Sequence, residues 1–149
     1  FPTRDELVSA FFRSGAEWYR RRLEDLLHES GRSPREQLAE CISWHLEFME
    51  DVDAILWFES TAYWLRNPEG RKVRDAWYGW LTGRYAVLIG AARPDLPPRE
   101  QRRRAFALWT LVLGGWVTHA RGSALRQGLP ATERHAALLD TALEIAFRP

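Results

Sequence analysis

Along almost the whole chain, apolar positions recur every three or four residues, the spacing of helices that each bury one face. Strand-like alternation is nearly absent. The pattern predicts six helices. The first runs from about Thr3 to Ser30, with Thr3 as cap, Glu6 reaching back to it and Gly31 as its stop. "SPRE" at Ser33 to Glu36 is a second capping box with Pro34 in the first helical position, and its helix continues to about Glu50. A third spans Ala54 to Arg66, capped by Asp51 or Asp53. Asn67 caps and Pro68 opens a fourth that runs to about Ala92, and "RPDLPP" is a loop. A fifth covers Arg99 to Leu125, and after the break "RQGLP" a sixth starts near Thr132 and runs almost to the end. Six helices joined by short breaks predict an all-α helical bundle in one domain, residues 1–149.

The helix faces differ in kind. On the second helix Leu38, Cys41, Ile42, Phe48, Met49 and Val52 share one face, with His45 in its middle, while Glu40, Ser43, Glu47 and Glu50 share the other. The third helix clusters Trp57, Phe58, Thr61, Trp64 and Leu65. The fourth gathers Val73, Ala76, Trp77, Trp80, Val87 and Leu88, with Arg84 among them. The fifth is apolar nearly all round: Trp109, Val112, Leu113 and Trp116 on one side with His119 at its edge, and Ala107, Leu111, Gly114 and Thr118 on the other. A helix without a wet face is either central in its own bundle or shared with a partner. Gly114 and Gly115 each forgo about 1 kcal/mol of helix propensity relative to alanine, which calls for a compensating close approach. The sixth helix is apolar over a wide arc that includes Leu138, Leu139, Ala142 and Ile145. We assign the last two helices to a self-complementary homodimer interface; the alternative is a fifth helix buried at the centre of a monomer.

Composition narrows the partners. A net charge of +1 supplies no strong field for nucleic acid or membrane, and Lys72 is the only lysine, so arginine richness by itself says little. One cysteine, Cys41, excludes an internal disulfide and fits a reducing compartment. No apolar run reaches the length of a membrane span, and no signal peptide is visible, so the expectation is a soluble cytoplasmic protein. Eight tryptophans stand out.

Phe1, Thr3, Arg4, Asp5 and Leu7 in "FPTRDEL", followed by this six-helix order, resemble the start of the regulatory half of the tetracycline-repressor (TetR) family of bacterial transcriptional regulators, with Arg4 where that family more often has Lys. The resemblance implies a ligand-binding and dimerisation domain whose last two helices form a four-helix bundle with a second copy. It also implies a helix-turn-helix immediately before Phe1, absent from this sequence, through which alone operator DNA would be bound.

Phe48, Trp57, Trp64, Trp77, Trp80, Trp109 and Trp116 are expected to line an effector cavity among the second to fifth helices. So many rigid rings are hard to pack without gaps, and a pocket is one use for gaps; the alternative for each ring is ordinary core. His45 is a candidate polar handle for a small hydrophobic or aromatic effector, the alternative being a histidine satisfied by a backbone carbonyl or a nearby hydroxyl; His119 extends either the pocket or the dimer interface. Arg84, if buried, needs a carboxylate such as Glu59 or an anionic ligand; more often such an arginine reaches past the apolar surface to water. The acids of "MEDVD" (Met49 to Asp53) read as helix caps rather than a metal site, and His28, His45, His119 and His135 lack metal-ligand spacing. "YRRRLED" and "EQRRRAF" read as solvated faces. No cofactor motif, nucleophile elbow or catalytic triad is visible. The rival to a sensor is a helical enzyme on a hydrophobic substrate with His45 or His119 as acid/base; a plain dimerisation module is a third reading.

Overall fold

A computed structural model describes residues 3–28, 31–123 and 128–148. It contains α1 (Arg4–His28), α2 (Pro34–Asp51), α3 (Ala54–Arg66), α4 (Pro68–Ala92), α5 (Pro98–Thr118) and α6 (Ala131–Phe147). The chain is an all-α bundle without a strand among the described residues. No helix of these residues is long and apolar enough to cross a membrane.

Local chemistry starts each helix where the side chains provide acceptors for the unpaired first-turn N–H groups. Thr3 Oγ1 accepts from the Glu6 amide at 3.2 Å. At Ser33 both arms of the capping box are made: the Glu36 amide donates to Ser33 Oγ, and the Ser33 amide donates to Glu36 Oε2 at 2.7 Å. Asp53 rather than Asp51 caps α3, accepting from the Ile55 amide at 3.0 Å. Asn67 Oδ1 accepts from the amides of Glu69 and Gly70.

The fifth helix is shorter than its apolar pattern predicts. It ends at Thr118 rather than near Leu125, which lies outside the described residues. The amides of His119 and Ala120 both donate to the Gly115 carbonyl, which breaks the helical repeat. The chain then turns along the α2–α3 joint: the Arg121 amide donates to the Met49 carbonyl at 3.0 Å, and the Ala54 amide donates to the Arg121 carbonyl at 2.8 Å. Gly122 follows at φ +78°, where a Cβ would stand 3.1 Å from an Asp53 carboxylate oxygen. These tertiary main-chain bonds outcompete the local helical ones.

An aliphatic core fills one side of the bundle, with Leu38, Ile42, Leu46 and Met49 of α2 meeting Leu81 and Ile89 of α4, Leu108 and Val112 of α5, and Ala142 and Ala146 of α6. α4 turns Leu81, Tyr85, Leu88 and Ile89 inward, roughly a quarter turn from the face its tryptophans suggest. Val87 and Arg84 are consequently exposed. Of the two readings of Arg84, the one that takes it past the apolar surface to water holds, and the place among the ligand-lining residues is corrected: its guanidinium lies over the half-buried Trp80 ring, 5.9 Å from the centroid. The two glycines of α5 separate. A Cβ on Gly115 would stand 2.8 Å from Met49 Sδ, so α5 packs closely on α2 there, whereas Gly114 is exposed with nothing near it. Ala107, Leu111, Thr118, Leu138, Leu139 and Ile145 are half-buried. Ala142, expected at a dimer interface, is fully buried within the chain, so it has no surface to present to a second copy.

One arginine of "EQRRRAF" is not solvated. Arg104 is 8% exposed, donates through Nε to Glu100, and through Nη1 to the carbonyls of Ala146 (3.2 Å) and Arg148 (2.7 Å). Arg93 Nη1 donates to the carbonyls of Phe147 and Arg148. α6 has no basic residue in its last turn, so two arginines from elsewhere cover its unpaired carbonyls and the negative end of its dipole. Arg104→Met, which keeps the packed stem, is expected to lower the unfolding free energy by roughly 2 kcal/mol, the scale of charge-assisted hydrogen bonds. Urea denaturation at neutral pH measures this.

Candidate ligand-binding cavity

Opposite the aliphatic core, the bundle encloses a cavity of about 230 Å³. α1 contributes Phe11, Phe12, Gly15, Ala16, Trp18 and Tyr19, which recur at one-face helical spacing. Phe48 of α2 and Val52 at the joint form part of the floor. α3 adds Leu56, Trp57, Ser60 and Trp64; α4 adds Trp77 and Tyr78; α5 adds Trp109, Leu113 and Trp116. Eleven of these seventeen residues are aromatic and none is charged.

Ring geometry keeps the space open. Trp57 and Trp116 stack nearly parallel, 7° apart with centroids at 5.7 Å. Trp109 meets Tyr78 edge-on at 5.2 Å, and Phe12 meets Trp64 edge-on at 5.5 Å. Edge-to-face rings lock one another at angles that leave a hollow between them. At one end α1 and α3 are tied together by Tyr63, whose hydroxyl hydrogen-bonds Ser9 Oγ at 2.8 Å and accepts from Asn67 Nδ2 at 2.8 Å. Exposed side chains of Phe11, Trp18 and Leu56 flank the opening between these two helices.

Six of the expected residues come together here: Phe48, Trp57, Trp64, Trp77, Trp109 and Trp116. Trp80 and Arg84 stand on the outer side of α4, away from the lining. His45 is fully buried behind the wall, hydrogen-bonded through Nδ1 to the Tyr19 hydroxyl. Burial pushes His45 down to about 3 and raises Tyr19 well above the usual phenol range. Both are therefore neutral at pH 7, so the bond between them joins an uncharged phenol to an uncharged imidazole. His119 is on another flank, at the α2–α5–α6 junction, with Nε2 3.4 Å from Glu50 Oε1 and its ring 6.2 Å from that of His135. Burial, opposed by Glu50, holds its pKa down. Neither histidine lines the cavity, so the enzyme reading loses its proposed acid/base. Among the described residues no three His, Cys, Asp or Glu side chains converge as a metal site.

The α1 wall lies outside the second to fifth helices from which the sequence predicts the lining. Its signal is Gly15 and Ala16, two small residues set between Phe11, Phe12, Trp18 and Tyr19 on one face. Small residues among large ones mark a place where the wall recedes.

His45 makes a pH prediction. The unfolded chain binds a proton at this histidine near pH 6.5, and the folded one only near pH 3. Its contribution to stability is therefore intact above pH 6.5 and is lost as pH falls toward 3. Between pH 7 and 5 urea denaturation should show a loss of roughly 2 kcal/mol from this group, and His45→Phe should flatten that part of the profile. No family model matches the chain, nor does any curated protein or solved structure, so the chemistry of the cavity itself has to carry the functional reading.

Proposed function

We propose that this chain is the effector-sensing and dimerisation domain of a TetR-like transcriptional regulator, and that a small hydrophobic or aromatic ligand in the cavity alters DNA binding of the intact protein. The observation that carries the reading is the hollow itself: an uncharged aromatic wall to which α1 contributes six residues. A ligand seated there touches α1 directly, so occupancy and the position of α1 are linked. The mechanism is a population shift, in which the ligand binds one arrangement of α1 better than the other. Carrying an equilibrium from one state almost wholly to the other takes about a ten-thousand-fold difference in affinity. Operator contacts belong, in this reading, to a helix-turn-helix preceding Phe1 in a longer chain, with α1 as the connection to it.

Dimerisation is the second half of the proposal. From Ala105 to Thr118 α5 carries no charged residue, yet Phe106 is 69% exposed and Thr110, Gly114 and Val117 lie on the same outward stripe. Half-buried Ala107, Leu111 and Thr118 border it, and Leu138, Leu139 and Ile145 of α6 are only partly covered. A second copy of the same stripe would cover these groups, and the open space at Gly114 would admit its backbone.

Two measurements test this. A Cβ at Gly15 meets no other atom within 4 Å, so Gly15→Leu should raise thermal stability through about 1 kcal/mol of helix propensity while filling the cavity edge. Aromatic compounds that quench the tryptophan fluorescence of the wild type should then lose binding; undiminished binding in this variant removes the cavity from the mechanism. For the dimer, sedimentation should report two copies, and Phe106→Glu with Val117→Glu should give a folded monomer by circular dichroism. A wild-type monomer at all concentrations rules the interface out.

A further inference from the structure

The polar groups of the wall define the ligand more narrowly than its apolarity does. The lining residues include no Asp, Glu, Lys, Arg or His. Tyr78, like Tyr19, stays protonated, since burial raises it to about 12. The Ser60 hydroxyl is already committed to the Leu56 carbonyl at 2.6 Å. Three lining indoles, Trp64, Trp77 and Trp109, have buried N–H groups for which the protein provides no acceptor. Trp64 and Trp109 are only 6% and 5% exposed. An indole nitrogen donates and never accepts, and a buried donor without a partner is costly.

Each ligand charge meets a different obstacle. An anion would lose its hydration against the negative faces of eleven rings with no cation beside it. A cation would gain from the ring faces, by about 0.5–2 kcal/mol for each well-placed one, but would find no carboxylate. A pure hydrocarbon fits the faces and leaves the donors unmatched. For scale, an apolar cavity of about 150 Å³ takes benzene, so 230 Å³ has room for a second ring.

We infer that the ligand is an uncharged, two-ring-scale aromatic compound bearing a hydrogen-bond acceptor such as a carbonyl, recognised by ring packing together with indole donors from Trp64, Trp77 or Trp109. This rests on the receptor reading above and adds the ligand class. It separates this cavity from a cage for quaternary ammonium groups, which the same set of rings would otherwise resemble.

The test uses four naphthalenes of one shape, titrated calorimetrically into the purified chain: 2-acetylnaphthalene, 2-ethylnaphthalene, 2-naphthoate and trimethyl(2-naphthyl)ammonium. The ketone should bind best, the ethyl compound about five- to tenfold more weakly for want of one neutral hydrogen bond, and the two ions at least about a hundredfold more weakly. Among Trp64→Phe, Trp77→Phe and Trp109→Phe, each of which keeps a ring and removes the N–H, at least one should bring the ketone-to-ethyl ratio close to unity. The ethyl compound's own affinity should stay within about twofold there, which serves as the folding control. The inference is overturned if either ion equals the ketone, if the ethyl compound does so, or if all three variants keep the wild-type ratio; in each case the receptor reading survives. If none of the four binds at millimolar concentration, the receptor reading falls and takes this inference with it.

Discussion

The spacing between α1 and the rest of the bundle is set by rings that cannot collapse onto one another, and the other features of the cavity follow from that constraint. Aliphatic side chains interdigitate to near-crystal density, as they do where α2, α4, α5 and α6 meet. Indoles and phenyl groups fixed edge-on at 5–6 Å lack that freedom, and two of the positions facing them, Gly15 and Ala16, have almost no side chain. One half of the molecule therefore supplies stability and holds the helices at their separations. The other half inherits those separations and is left with volume it does not fill.

Charge is handled by placement rather than by number. The cavity excludes it altogether, and His45, the titratable group directly behind its wall, is kept neutral by burial. At the far end the opposite arrangement holds: Arg93 and Arg104 converge on the last carbonyls of α6, whose own sequence offers no cation there. The buried guanidinium of Arg104 is tolerated because Glu100 pairs with its Nε and two carbonyls accept from its Nη1. The molecule is polarised along its length, with an ionic clasp at the C-terminal end of α6 and a charge-free hollow between α1 and α3.

What was readable in the sequence was whatever depends on neighbours within one helix. Thr3, Ser33, Asp53 and Asn67 cap as their positions suggest, and α2 buries the face its periodicity marks, His45 included. The misreadings arise where a distant segment decides. α5 stops early because Met49 and Ala54 offer main-chain partners that no local pattern reveals. α4 turns Trp80 outward, while Trp77 still faces the cavity, because it packs against α1, α2, α3 and α5 at once. Arg104 looks solvated in a run of arginines until the end of α6 arrives over it. Of the cavity, six of the seven aromatic members on α2 to α5 were legible as a surplus of rings, all but Tyr78, whereas the α1 wall depended on noticing what is small rather than what is large.

The strap formed by Arg121 across the α2–α3 joint is made of peptide groups alone. Backbone pairing is indifferent to which side chains hang from it, so the elbow that carries Phe48, Val52 and Trp57 keeps its bend whatever those positions become. Exchanging one ring for another would reshape the hollow without rebuilding the scaffold. The same frame can thus carry, by single replacements, hollows of different shape and lining.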